Sequence, residues 1–284
     1  MNPKMKLNDL RKELILKLTP CSFEEADFEA DCIIADLLGC SNSVLRIRLN
    51  EEADTALIEK AFEYADRRLN NEPLQYILGK WEFYSSEFYV GEGVLVPRPE
   101  TELLVDIAVD TLKNNQNPIC FDLCAGSGCI GISVAKAVNN STVYMLEKSE
   151  KAFAFLNKNI IHNRVTNCTV TQGNLFDGCC WQEKADLLLS NPPYIRTDVI
   201  STLQPEVQRE PLMALDGGAE GLVFYRAIAE KWLDNLKAGG TLAVEIGDEQ
   251  GNDVKNIFNP YFTETKILKD YSGLDRVILA TGKI

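Results

Sequence analysis

The chain has 284 residues, 45% of them hydrophobic, enough for one large domain with its own core plus a smaller one. Its 42 acidic residues outweigh 29 basic ones, a formal charge of −13, and the densest basic patch is only Asp66-Arg67-Arg68, which argues against a polyanion as partner and for a small molecule or a basic protein. No apolar run approaches the roughly 20 residues of a membrane span, and nine scattered cysteines without Cys-x-x-Cys pairs, beside a single histidine, exclude a zinc site and read as small core residues of a chain kept in a reducing cytoplasm.

Residues 1–72 read as helices. Leu10, Leu14, Ile15 and Leu18 give Leu7 to Leu18 helical spacing. Ser22, with Glu25 three places on, is the expected N-cap of a second helix that stops at Gly39. A third spans about Glu52 to Leu69. No catalytic cluster falls here, so this region reads as a recognition domain. Residues 73–96 change character: Tyr76 to Tyr84 and Glu87 to Val90 are aromatic and alternating around Ser85-Ser86, which predicts a β-hairpin linker. Pro97-Arg98-Pro99-Glu100-Thr101-Glu102 then opens the third segment, 97–284, and leads into a helix with Thr101 as a possible N-cap. Arg98 and Glu102 are placed either to face a ligand pocket or to pair with each other.

Pro118 to Leu123 reads as a short buried strand. Cys124-Ala125-Gly126-Ser127-Gly128 follows as a glycine turn, then a helix through Gly131. Glycine lets the backbone turn sharply and approach a ligand closely. Gly131 completes a G-x-G-x-x-G spacing, but close helix–strand packing explains it as well. The next strand ends at Glu147, about twenty residues on, where a carboxylate hydrogen-bonds a ribose diol. His162 sits on the following helix as a surface or packing residue.

The apolar run Ala185 to Ser190 predicts a buried strand, and Asn191-Pro192-Pro193-Tyr194 follows it at the end where open α/β sheets bind ligands. Two prolines fix φ twice and remove two N–H donors, leaving carbonyls with few local partners. The Asn191 amide adds an acceptor and two donors, and Tyr194 adds an aromatic wall. Such a loop can grip a planar –NH2 group. A loop-rich stretch to Gly221, with turn signals at Glu210-Pro211 and Asp216-Gly217-Gly218, reads as a substrate loop. A helix from Leu222 to Leu236, a Gly239-Gly240 break, a strand from Thr241, a helix from about Gln250 and two strands around 263–268 and 276–280 complete the chain.

These segments closely resemble the HemK/PrmC family of protein-(glutamine-N5) methyltransferases over essentially the whole chain. The matching pieces are Pro73 to Gly79, Leu95-Val96-Pro97-Arg98-Pro99-Glu100-Thr101-Glu102, the glycine turn, Ser190 to Ile195, Glu210-Pro211 with Ala214-Leu215, and Glu245-Ile246-Gly247. The resemblance implies a class I S-adenosylmethionine-dependent methyltransferase fold (α/β, Rossmann-like, mostly parallel with an antiparallel last strand) behind a small helical domain. It implies S-adenosyl-L-methionine as cofactor and the glutamine of a Gly-Gly-Gln motif in peptide chain release factors as substrate. Cys124, Ala125, Gly126, Ser127, Gly128, Glu147, Asn174, Leu175 and Asn191 are then the expected cofactor contacts. Asn191, Pro192, Pro193 and Tyr194 are the expected substrate contacts, with Asn191, Pro192 and Tyr194 catalytic. The chain departs from the family pattern at Glu147, where Asp is common, and at Asn174, where the family's Gly-Asp-Leu-Phe carries an acid near the adenine amine. The implied partner is a release factor, with no direct contact to nucleic acid or membrane, and the chain is expected to be a cytoplasmic monomer. The alternatives are an adenine-N6 methyltransferase on DNA or RNA, which grips a planar amine with a similar loop, and a catalytically idle protein that only binds a release factor.

Overall fold

The computed structural model describes residues 5–22 and 25–284. The chain divides into two compact units: one runs to Gly79 and includes Pro205–Arg209, and the other holds Lys80–Gln204 and Glu210–Ile284.

The first unit is helical. α1 (Leu7–Leu18) buries Leu7, Leu10, Leu14 and Leu18, one stripe at three- and four-residue spacing. α2 (Ala26–Leu37) follows, with Glu25 rather than Ser22 at its N-cap; the Ser22 hydroxyl serves the Glu29 carboxylate instead. The cap signature therefore marks the approach to α2 and not its first turn, and residues 23 and 24 lie outside the described residues. Between α2 and α4 stands a helix the sequence reading did not place, α3 (Asn42–Arg48), whose Ser41 cap accepts from the Val44 N–H. α4 (Thr55–Leu69) begins where the Asp54 carboxylate accepts the Leu57 N–H at 2.8 Å. α5 (Leu74–Leu78) occupies residues expected to be extended. Pro73 precedes it and Gly79, at φ +75°, ends it, so the strand-like Tyr76-Ile77-Leu78 is wound by its flanks.

The Pro205–Arg209 segment belongs to this unit through charge. Arg68, buried in α4, donates from Nε to both oxygens of buried Glu29 at 3.0 and 3.1 Å, and from Nη2 to Glu206 at 2.7 Å. Burial pushes the Glu29 carboxyl up while Arg68 pulls it back. Arg209 adds a bond to the Asn70 carbonyl.

The second unit starts with a hairpin, β1 (Lys80–Phe83) and β2 (Ser86–Tyr89), turning at Tyr84-Ser85, both with positive φ. α6 (Glu102–Leu112) leads into alternating strands and helices: β3 (Ile119–Leu123), α7 (Cys129–Ala137), β4 (Thr142–Glu147), α8 (Glu150–Asn163), β5 (Cys168–Gln172) and β6 (Ala185–Ser190). After a long irregular loop holding the short α9 (Leu212–Leu215) come α10 (Val223–Lys231), β7 (Leu236–Glu245), α11 (Gly251–Phe258), β8 (Phe262–Lys269) and β9 (Asp275–Lys283). The expected helix to Leu236 ends earlier, and Gly239-Gly240 lies inside β7, where positive φ at Gly239 accompanies a register shift.

The large sheet has the order β5-β4-β3-β6-β7-β9-β8. Its first five strands are parallel, and β9 is antiparallel to both neighbours. Helices cover both faces, as parallel strands require. Leu104, Val105, Ile132, Val134 and Leu156 from α6, α7 and α8 fill one layer. Tyr225, Ile228, Trp232, Val254 and Phe258 fill the other, where Trp232 packs on Phe121 and donates to the Leu175 carbonyl. The chain passes from β3 to β4 on one side of β3 and reaches β6 on the other, which makes the β3/β6 junction a topological switch point.

Gly131 lies in α7 against β3 and β4. A Cβ there would stand 2.5 Å from Met145 Sδ and 2.9 Å from Asp122 Oδ2, so its smallness serves helix–strand packing. Gly131→Ala is expected to cost about 1–3 kcal/mol in urea unfolding while leaving affinity for S-adenosylhomocysteine within about threefold; a stable variant that loses the ligand would place Gly131 in the binding site.

Candidate active site

Strand register builds the site. Leu146 of β4, Leu123 of β3, Ser190 of β6 and Val244 of β7 lie in one row across four parallel strands. One residue further, at the carboxyl ends, stand Glu147, Cys124, Asn191 and Glu245. The glycine turn and the Asn-Pro-Pro-Tyr loop therefore start side by side, and the Ser190 hydroxyl ties them by donating to the Leu123 carbonyl at 2.7 Å.

The glycine turn bends through positive φ at Cys124, Gly126 and Gly128. A Cβ on Gly126 would meet nothing within 4 Å, so this glycine is required by its φ of +56° and leaves open space above the turn. A Cβ on Gly128 would press on Ile132 and Leu156. Glu147 braces the turn: one oxygen accepts the Gly126 N–H at 2.8 Å and the other accepts the Ser149 N–H at 2.6 Å. Burial pushes its carboxyl up, and these backbone bonds oppose the shift. Asn174, just past β5, accepts the Phe176 N–H at 3.4 Å.

A cavity opens over these strand ends. Cys124, Ala125, Gly126, Ser127, Glu147, Asn174, Leu175, Asn191 and Pro193 line it, as anticipated for the site. Gly128, Pro192 and Tyr194 do not. Gly128 is turned into the packing under the loop. Tyr194 is drawn to Glu245, to which its hydroxyl donates at 3.3 Å, because a buried phenol needs an acceptor. The aromatic surfaces at the cavity are Phe176 and Phe224, whose rings lie 5.1 Å apart.

The Pro97–Glu102 segment forms another wall. Arg98 lines the cavity and pairs with Glu210, not with Glu102, whose carboxylate accepts the Tyr84 N–H. Glu210 is buried and also accepts the Val96 N–H at 2.9 Å, so it fastens the returning loop to this segment and brings Pro211, Met213 and Ala214 to the cavity. Thr101 does stand at the N-cap of α6, but its side chain makes no capping bond: its hydroxyl donates to Glu245 Oε2 at 2.6 Å and accepts from Asn191 Nδ2 at 3.2 Å. Sequence reasoning gave no role to Glu245 or Glu210. The signal for Glu245 was a carboxylate ending an otherwise apolar strand.

Two family models match the chain, the PrmC N-terminal domain over residues 9–79 and the methyltransferase small domain over residues 101–209. The release factor glutamine methyltransferase of Clostridium botulinum is 41% identical over 227 residues, covering 78% of this chain and 80% of the relative. That of Clostridium acetobutylicum is 35% identical over 284 residues, covering 97% and 98%. The chain belongs to the release factor glutamine methyltransferase family. A more distant member from Aquifex aeolicus, 32% identical, spans 99% of both chains. Solved structures share the fold: the hMettl16 catalytic domain superposes with a TM-score of 0.58 at 12% identity, covering 80% of this chain and 82% of that one. A methyltransferase from Pyrococcus furiosus gives 0.51 at 19%, covering 69% and 87%. In this family member the mostly parallel sheet and its antiparallel β9 are those expected from sequence.

Asp122, beneath the glycine turn in β3, is fully buried and holds the Gly131 N–H at 2.9 Å. Burial raises its carboxyl to about 7, against the backbone bond that lowers it. The native state therefore keeps a proton that the unfolded chain, with an Asp pKa of about 3.9, releases first. That contribution is present in acid and lost as pH rises from about 4 to 7. Asp122→Asn should gain about 2–3 kcal/mol on wild type between pH 5 and 8 in urea unfolding; parallel stability curves would show that Asp122 does not titrate there.

Proposed function

We propose that this chain transfers a methyl group from S-adenosyl-L-methionine to the side-chain amide nitrogen (N5) of the glutamine in the Gly-Gly-Gln motif of peptide chain release factors. Family membership supports this reading, and one observation of the site carries it. Asn191 spends its nitrogen on Thr101 and leaves its oxygen without a protein partner among the described residues, at a cavity over the switch point.

The donor set suits the cofactor. Glu147 is an acceptor for ribose hydroxyls at the end of β4, Asn174 and Leu175 stand past β5 for the adenine, and the turn Cys124–Gly128 lets backbone approach the ligand. When bound, S-adenosylmethionine supplies an activated methyl group, and the protein supplies placement. An amide nitrogen is a poor nucleophile because its lone pair is delocalised. Asn191 Oδ1 accepts one of its hydrogens, which holds the nitrogen and favours electron density on it. Positioning of this kind supplies several kcal/mol, on the order of the entropy of a bimolecular encounter. Pro193 shapes the wall beside the amide, and Tyr194 acts from behind through Glu245. The alkylated amide is acidic enough to lose its proton to solvent, so no dedicated base is required.

The helical unit that ends at Gly79 serves release factor recognition, and the second unit, which opens with the hairpin β1–β2, carries the chemistry. The protein works as a cytoplasmic monomer. Among the described residues no helix is long and apolar enough to cross a membrane.

Labelled S-adenosylmethionine with purified release factor tests this reading, beside a factor whose Gly-Gly-Gln glutamine is alanine, and beside DNA and RNA. Label is expected on the intact factor alone; label on nucleic acid would keep the fold and overturn the substrate. Asn191→Ala is expected to remove most turnover, about a hundredfold, with cofactor affinity kept within a few-fold. Equal loss of both would deny Asn191 this role.

A further inference from the structure

We propose that Thr101 and Glu245 form a positioning relay that fixes which end of the Asn191 side chain faces the cavity. This rests on the reading that Asn191 grips the substrate amide.

The two ends of an asparagine amide have nearly the same shape, so packing alone cannot choose between them. Hydrogen-bond chemistry can. Glu245 is 2% exposed and stands beside Asn191 in the strand-end row. Its Oε2 accepts from the Thr101 hydroxyl at 2.6 Å, and its Oε1 accepts from the Tyr194 hydroxyl at 3.3 Å. An ionised carboxylate only accepts, and a hydroxyl has one proton to give. Thr101, itself 2% exposed, commits that proton to Glu245 and keeps only lone pairs for Asn191. The bond at 3.2 Å is therefore made by the Asn191 –NH2 group, and the carbonyl oxygen is left for the cavity. A reversed Asn191 would point two donors at a substrate that itself offers two donors. The same orientation discriminates glutamine from glutamate, since an outward acceptor repels a carboxylate.

The relay carries its own pH signature. Tyr194, Thr101 and, through the Glu245 backbone carbonyl, Tyr225 surround this residue as donors. Arg276 lowers its pKa; Glu100 raises it; Arg98 acts on Tyr194; and Cys129 lies close enough to feel its charge. Burial outweighs the donors and raises its carboxyl to about 7. A protonated Glu245 can donate to Thr101, which frees the threonine proton for Asn191 and reverses the amide.

The test compares full-length wild type with Thr101→Val, which keeps the shape and removes the hydroxyl, and Thr101→Ser, which restores the hydroxyl. With release factor as substrate, Thr101→Val is expected to lower kcat about tenfold or more, with KM and the Kd for S-adenosylhomocysteine within about threefold, and Thr101→Ser to recover most of the loss. The acid limb of kcat near pH 7 should flatten in Glu245→Gln, whatever that variant's absolute rate. A valine variant equal to wild type, or a serine variant as slow as valine, overturns the relay. The Asn191 side-chain –NH2 resonances in labelled protein give a reading without turnover: Thr101→Val should shift them and Thr101→Ser should not. If wild type transfers nothing to release factor, the substrate reading fails, and these resonances still decide the relay.

Discussion

Parallel registration of β4, β3, β6 and β7 is the constraint on which the site depends. Hydrogen bonding between neighbouring strands sets Leu146, Leu123, Ser190 and Val244 in one row. A slip of one residue in any pair would turn that strand's side chains to the opposite face. The row is held by burial on both faces, with α6, α7 and α8 on one and α10 and α11 on the other. Four residues that leave the row together therefore arrive at one place, although they lie far apart in sequence.

Two of those four are buried carboxylates; hydrogen bonds hold each of them, and at Glu245 the charge of Arg276 adds to the hold. Glu147 takes two backbone N–H groups and stiffens the glycine turn. Glu245 takes two side-chain hydroxyls and stiffens the loop at Asn191. A buried charge held this way is costly to leave unmet, so each carboxylate organises the donors around it. The fold thus places one carboxylate organiser under the glycine turn and another under the Asn-Pro-Pro-Tyr loop.

Much of this was legible in the sequence where the determinants are local. The apolar stripe of α1 gives its bounds to the residue. The glycine turn and the Asn-Pro-Pro-Tyr loop announce themselves because glycine and proline act on their own backbone. What was not legible depends on partners far along the chain. Thr101 looks like a helix cap until Glu245, 144 residues away, claims its hydroxyl. Tyr194 looks like a cavity wall until the same carboxylate draws it inward. Tyr76-Ile77-Leu78 has strand-forming composition, but Pro73 and Gly79 wind it into α5. Arg98 could not be assigned a partner without the returning loop that carries Glu210.

The helical unit's second piece of chain has a consequence for biosynthesis. Glu29 and Arg68 both emerge from the ribosome before the parallel sheet is made, so that half of the ionic triad can close early. Glu206 is made 138 residues after Arg68, a delay on the order of ten seconds at 5–20 residues per second. Through that interval the guanidinium holds only one of its two carboxylates, and β3, β4, β5 and β6 are translated meanwhile. The amino-terminal helices are thus first in synthesis yet not first to be finished: their last ion pair is delivered only after most of the parallel sheet has been made.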